Sequence, residues 1–247
     1  GWDLGTVPEA DIRTTRDGII VAFHDCNFVR VESHLAPELR NLGVESVSFD
    51  VLSQMDVGSA HDGLQVHRVV ALHEAFLMLR EQPEHQIYLD IKDVVLENLA
   101  SLVTECKVEN QVIFSSTNYS LHRAWKKLIP SSQTLLWMGG TESNLEERLQ
   151  YLRATDFADV SQLQIHVSFN SEEILPTFRP SEEFLRTTGE ELRERNILFQ
   201  VLPWKAKQPM IYHRLLKLGV QSFATDYPDL VLSFRSSSCS VSCYPRL

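Results

Sequence analysis

The chemistry in this chain is concentrated in three short stretches. In Glu9-Ala10-Asp11 one residue separates two carboxylates. Alternate residues of a strand point to the same face, so both acids aim into one space. Adjacent carboxylates repel until one takes up a proton or a cation sits between them. Hard oxygen donors of this kind suit magnesium, calcium or manganese. The same residues also read as a solvated edge with Arg13 and Arg16 as partners. Asp90-Ile91-Lys92 repeats the spacing at the end of an apolar run. It reads either as a plain ion pair or as a third carboxylate beside an ammonium that binds an anion. His24 has the ring to act as acid or base near neutral pH, although a His before an Asp also serves as a structural pair. Together these residues describe a site for a metal-bridged phosphate, where ammonium and metal stabilise transition-state charge.

The elements that must position them alternate. Candidate strands are Ile19–Phe23, Gln86–Lys92, Gln111–Ser115, Thr134–Met138, Gln164–Phe169, Ile197–Leu202 and Gln221–Thr225, in addition to the Glu9-Ala10-Asp11 run. Most are continuous apolar runs, the pattern of strands buried on both faces. Helical spacing marks Val70–Leu79, Asn144–Leu152, Glu190–Arg195 and Pro209–Leu218. Arg16-Asp17-Gly18 reads as a turn that sends the next run back and delivers His24 close to where the chain left. Such alternation predicts parallel βαβ units, closed as a barrel or wound as an open sheet. Polar residues at the C-terminal ends of several strands favour the barrel: Asp90 and Lys92, Ser115 and Ser116, Trp204, Thr225 and Asp226. An open sheet usually carries a Gly-rich phosphate loop, and no GxGxxG or Walker loop occurs.

At 247 residues the chain fits one α/β barrel of about 250 residues. Lys and Arg number 23 against 33 Asp and Glu, a net charge of −10 that disfavours a nucleic-acid partner. No apolar run reaches the roughly 18 residues of a membrane span, and the first residues show no charged stretch followed by an apolar one. Cys26, Cys106, Cys239 and Cys243 are too few and too scattered for a disulfide framework. The Cys239/Cys243 pair lacks the neighbouring ligands of a zinc site, and a reducing, cytoplasmic setting is expected. The barrel is expected over 1–234, followed by a loosely ordered Ser/Cys-containing tail over 235–247.

The order E-x-D-[IV]-x-x-T-x-D-G-x-x-V-x-x-H-D, filled by Glu9, Asp11, Ile12, Thr15, Asp17, Gly18, Val21, His24 and Asp25, resembles the glycerophosphodiester phosphodiesterase family. Phe28 and Arg30, Leu72 and Glu74, the strand Tyr88-Leu89-Asp90-Ile91-Lys92, Trp204, and Leu218-Gly219-Val220 through Thr225-Asp226-Tyr227-Pro228 resemble its later motifs. The resemblance implies an α/β fold of the TIM (β/α)8 barrel type that hydrolyses glycerophosphodiesters to an alcohol and glycerol phosphate. It implies one divalent cation, magnesium or calcium, held by Glu9, Asp11 and Asp90. His24 would act as acid or base, Lys92 would contact phosphate and Trp204 would line the pocket for a small-molecule phosphodiester. In that family a neighbouring glycerol hydroxyl attacks phosphorus, and water opens the resulting cyclic phosphate.

Three departures accompany the resemblance. Asp90 stands where the family has Glu, and Trp204-Lys205-Ala206-Lys207 replaces W-T-V-N. The His-Arg-Gly motif of a first strand would lie upstream of Gly1, so the sequence is expected to be N-terminally incomplete, its first strand and helix missing or replaced. The alternatives are a natural seven-stranded barrel, cleavage of lysophospholipid or sphingolipid head groups, and a barrel that binds metal or phosphate without turnover.

Overall fold

The computed structural model describes residues 1–30, 37–57, 66–170 and 175–237. They form two compact units, Val7–Thr134 and Leu135–Leu247, the latter together with Gly1–Thr6.

The first unit is built on β1 (Glu9–Thr14), β2 (Ile20–Ala22), β3 (Ile87–Asp93) and β4 (Val112–Ser116). β1 pairs antiparallel with β2 and parallel with β3, and β3 pairs parallel with β4. The β1–β2 return follows from turn chemistry. Gly18 takes φ +84°, its N–H donates to the Thr15 carbonyl, and the Thr15 hydroxyl donates to Asp17 at 2.8 Å. Asp17 also accepts from the Phe49 N–H at 2.9 Å, which ties the hairpin to the segment after it. Under the hairpin, Val21, Phe23, Phe28, Val44, Val47, Leu52, Met55 and Val69 form an apolar cluster. β4 is buried along its whole length, as a continuous apolar run predicts.

Helices Leu72–Arg80, Leu96–Cys106 and Tyr119–Leu128 are also in this unit. The first matches the expected Val70–Leu79. The second and third were not predicted from the sequence, although Leu99, Val103 and Cys106 carry helical spacing and all three are buried. The third is capped by Asn118, whose side chain accepts from the Ser120 N–H. Trp125 from its inner face stacks on Phe114 of β4, ring centres 5.0 Å apart.

The second unit holds β5 (Gln133–Met138), β6 (Gln162–Phe169), β7 (Phe178–Arg179), β8 (Leu198–Pro203) and β9 (Ser222–Phe223). β5, β6, β8 and β9 pair in parallel in that order, while β7 lies antiparallel on β6. The expected Gln221–Thr225 strand is reduced to two residues. Its Thr225 hydroxyl is taken up locally, accepting from the Tyr227 N–H.

The expected helix Glu190–Arg195 is the end of a longer one, Glu182–Glu194, which Ser181 caps. Gly189 lies inside it because a methyl there would stand 3.0 Å from the Leu218 carbonyl oxygen. Helices Glu142–Arg153 and Pro209–Lys217 fall where helical spacing places them. The last helix, Pro228–Ser237, runs past residue 235, so the expected tail boundary falls inside it. Cys239 and Cys243 lie outside the described residues, while Cys26 and Cys106 carry free thiols. No helix among the described residues is long and apolar enough to cross a membrane.

One buried side chain joins a helix end to β4. The Gln111 amide donates to the carbonyls of Leu79 (2.7 Å), Gln82 (2.9 Å) and His85 (3.0 Å). Gln111→Leu is expected to cost about 2 kcal/mol by stranding these acceptors. The check is a lower denaturant midpoint at unchanged slope.

Candidate active site

β1 and β3 run side by side with Asp11 opposite Asp90, and this register gathers the acids. Carboxylate oxygens of Glu9, Asp11 and Asp90 lie within 4.8 Å of one another. Lys92 joins them, its Nζ 2.9 Å from Asp11 Oδ1 and 2.7 Å from Asp90 Oδ2. The ion pair and the acid cluster, alternatives in the sequence, are therefore both present. The solvated-edge reading with Arg13 as partner does not hold, because Arg13 pairs with Asp93 instead.

A backbone irregularity sets Lys92. Ile12 faces Ile91, but the next pair is Arg13 with Asp93, so β3 carries Lys92 as an extra residue. A bulge of this kind re-aims a side chain at the cost of one ladder position.

The electrostatics follow from the crowding. The Glu9 carboxyl is pushed up from 4.5 to about 8, first by loss of solvation, then by the charges of Asp11 and Asp90, with Lys92 opposing. Partial burial works against the Lys92 charge. Hydrogen bonds with Asp90 and Asp11 outweigh that effect and raise its pKa above the ordinary lysine value. With all three acids ionised, one ammonium leaves a deficit of two positive charges among hard oxygen donors. That donor set fits magnesium, calcium or manganese and lacks the nitrogen or sulfur ligands that favour zinc.

His24 follows β2. The Phe23 N–H donates to the Asp11 carbonyl at 2.8 Å, so the hairpin brings His24 beside the acid-bearing strand. Its ring is largely exposed, and Nδ1 lies 2.6 Å from Asp25 Oδ1. Asp25 also accepts from Arg30 Nε (2.7 Å) and Nη2 (3.0 Å). Those Arg30 bonds first, and the His24 bond after them, hold the Asp25 carboxyl below the usual range. With Nδ1 engaged, Nε2 is the atom left to exchange a proton. Asp25 and Arg30 stand in the sequence as motif matches, and their support of the His24 ring is visible only in the structure.

The other sequence candidates have surroundings of their own. Trp204 belongs to the second unit, at the end of β8, where its N–H donates to the Val167 carbonyl. Its half-exposed ring meets His166 edge-on at 5.4 Å, and His166 stacks flat on Trp137 at 5.1 Å. Ser115 is buried beside Asp90 in the β3–β4 register, and Ser116 accepts from the Asn118 N–H.

Glu9 makes the metal-free protein pH-sensitive. The folded chain retains the Glu9 proton up to about 8, whereas the unfolded chain releases it near 4.5. The folded state thus binds more protons in that window, and stability falls as pH rises through it. With chelator present, Glu9→Gln is expected to flatten the slope and raise the melting temperature at pH 8 by about 2 °C. Equal melting curves for parent and variant at pH 8 would refute this.

The sequence profile described as the "Glycerophosphoryl diester phosphodiesterase family" matches residues 7–230. The uncharacterized protein YqiK of Bacillus subtilis is 24% identical over 227 residues, covering 90% of this chain and 83% of that protein. A glycerophosphodiester phosphodiesterase structure from Agrobacterium tumefaciens superposes with TM-score 0.71 at 16% identity, covering 95% of this chain and 88% of that one. An Oleispira antarctica phosphodiesterase, solved with its product sn-glycerol-3-phosphate, gives TM-score 0.67 at 20% identity over 95% of this chain and 87% of that one. The α/β fold is the TIM-barrel type of these neighbours, as the strand–helix alternation predicts. With its profile matched over nearly the whole length, this chain belongs to the glycerophosphoryl diester phosphodiesterase family.

Proposed function

We propose that the chain hydrolyses glycerophosphodiesters to an alcohol and glycerol phosphate, with one divalent cation, magnesium or calcium, held by Glu9, Asp11 and Asp90. The observation that carries this reading is the cluster of three carboxylates within 4.8 Å, hydrogen-bonded through two of them to Lys92. Family membership and the neighbour solved with sn-glycerol-3-phosphate support the substrate class. A cation bound there supplies positive charge to a phosphoryl oxygen as negative charge builds on it.

Each side chain then has a task. Glu9, Asp11 and Asp90 supply anionic oxygens, and Asp90 does so one methylene shorter than a Glu would. Lys92 contacts the phosphate with an ammonium, adding charge stabilisation where the anion develops. His24 exchanges a proton with the reacting oxygen at Nε2 as general acid or base, while Asp25 holds Nδ1. The family resemblance assigns Trp204 to substrate contact, and its half-exposed ring is compatible with that.

The direct assay is release of glycerol phosphate from glycerophosphocholine, with magnesium or calcium and again with chelator. Activity is expected only with the ion. Asp90→Ala is expected to abolish metal-dependent turnover, and unchanged activity at saturating metal would sink the ligand assignment. His24→Ala is expected to lower kcat by about 100-fold or more. A preference for the acylated counterpart over glycerophosphocholine would move the substrate to lysophospholipids. Metal binding with no turnover would describe a binding protein instead.

A further inference from the structure

Given the proton-transfer role proposed for His24, we infer that Arg13 is a positioning residue for that histidine, tying it to the carboxylate-bearing strands. Arg13 follows Asp11 by two positions on β1 and is buried, with 11% of its side chain exposed. Its Nε and Nη2 both donate to the His24 carbonyl, at 3.1 and 3.0 Å. Its Nη1 pairs with Asp93, the last residue of β3. A single planar guanidinium therefore spans its own strand, the residue leaving the hairpin, and the neighbour of Lys92.

The attachment is double. The Phe23 N–H donates to the Asp11 carbonyl on one side of the Phe23–His24 pair, and Arg13 grips the His24 carbonyl on the other. Main-chain position is thus set from β1 at both ends, while Asp25 and Arg30 orient the ring. An arginine so close to a proposed phosphate site invites the reading that it binds the anion. Its surroundings argue against this: each of Nε, Nη1 and Nη2 already donates to a protein oxygen and the group is buried. Lysine cannot reproduce the arrangement, because a point ammonium lacks the planar fork.

The test uses the full chain with magnesium and glycerophosphocholine, comparing Arg13→Gln, Arg13→Lys and Asp93→Asn. Misplacement of a catalytic group is expected to lower kcat by about 30-fold in Arg13→Gln while KM stays within about twofold. Magnesium affinity by calorimetry is expected to match the parent. Arg13→Lys should recover part of kcat, and Asp93→Asn should show a smaller loss of the same kind. The His24 imidazole signals in proton–nitrogen spectra should shift in Arg13→Gln.

Added to His24→Ala, Arg13→Gln should lower kcat no further. A full additional loss in that background would overturn the inference, as would a rise in KM or a fall in metal affinity as large as the kcat effect. If Arg13→Gln fails to fold, Arg13→Lys and Asp93→Asn decide: parental kcat in both overturns it. If His24→Ala itself turns over normally, the acid–base reading fails and this inference with it. If His24→Ala is inactive while the folded Arg13 variants and Asp93→Asn are unimpaired, only this inference fails.

Discussion

The first unit is organised around an unfavourable interaction. Three carboxylates on two adjacent strands lie within 4.8 Å of one another, two of them bonded to one ammonium, where like charge resists close approach. Such an arrangement persists only when the surrounding structure is stable enough to impose it. Here the frame is supplied by the fully buried β4 and by the stacked Phe114 and Trp125. The apolar cluster beneath the β1–β2 return adds to it. Lys92 relieves the repulsion in part, and the raised Glu9 carboxyl records what remains.

The support for His24 differs in kind. Its ring is exposed, so packing alone does not fix it. Charge-assisted hydrogen bonds take over that task, with Arg30 on Asp25 and Arg13 on the His24 carbonyl. Bonds of this type are shorter and more directional than neutral ones, which suits a group whose position matters more than its burial. The carboxylates are placed by the sheet ladder and the histidine by arginines, and both supports begin on β1.

Much of this was legible in the residues. Period-two spacing placed Glu9 with Asp11 and Asp90 with Lys92, and the Arg16-Asp17-Gly18 turn foretold the return that carries His24. Apolar runs marked the parallel strands to within a few residues. Two crossover helices escaped because their apolar positions, such as Leu99 and Val103, are set among polar residues that blur the period. The last parallel strand was overextended because Thr225 caps a turn rather than continuing the ladder. In the sequence Arg13 also reads as a partner for its own strand's acids. Only the tertiary register shows that it reaches Asp93 and the His24 carbonyl, since neither contact is local in sequence.

The bulge at Lys92 has an arithmetic effect on the sheet. A regular strand offers every second residue to one side, so Asp90-Ile91-Lys92-Asp93 would commit two charged groups there and turn Asp93 away. With one residue in excess, the phase slips after Lys92. Asp90 and Lys92 then meet around Asp11, and Asp93 comes round to Arg13. Four consecutive residues thus present three charges to a single neighbouring strand, a density that an unbroken pleat does not reach. The irregularity concentrates ionic chemistry without lengthening the strand.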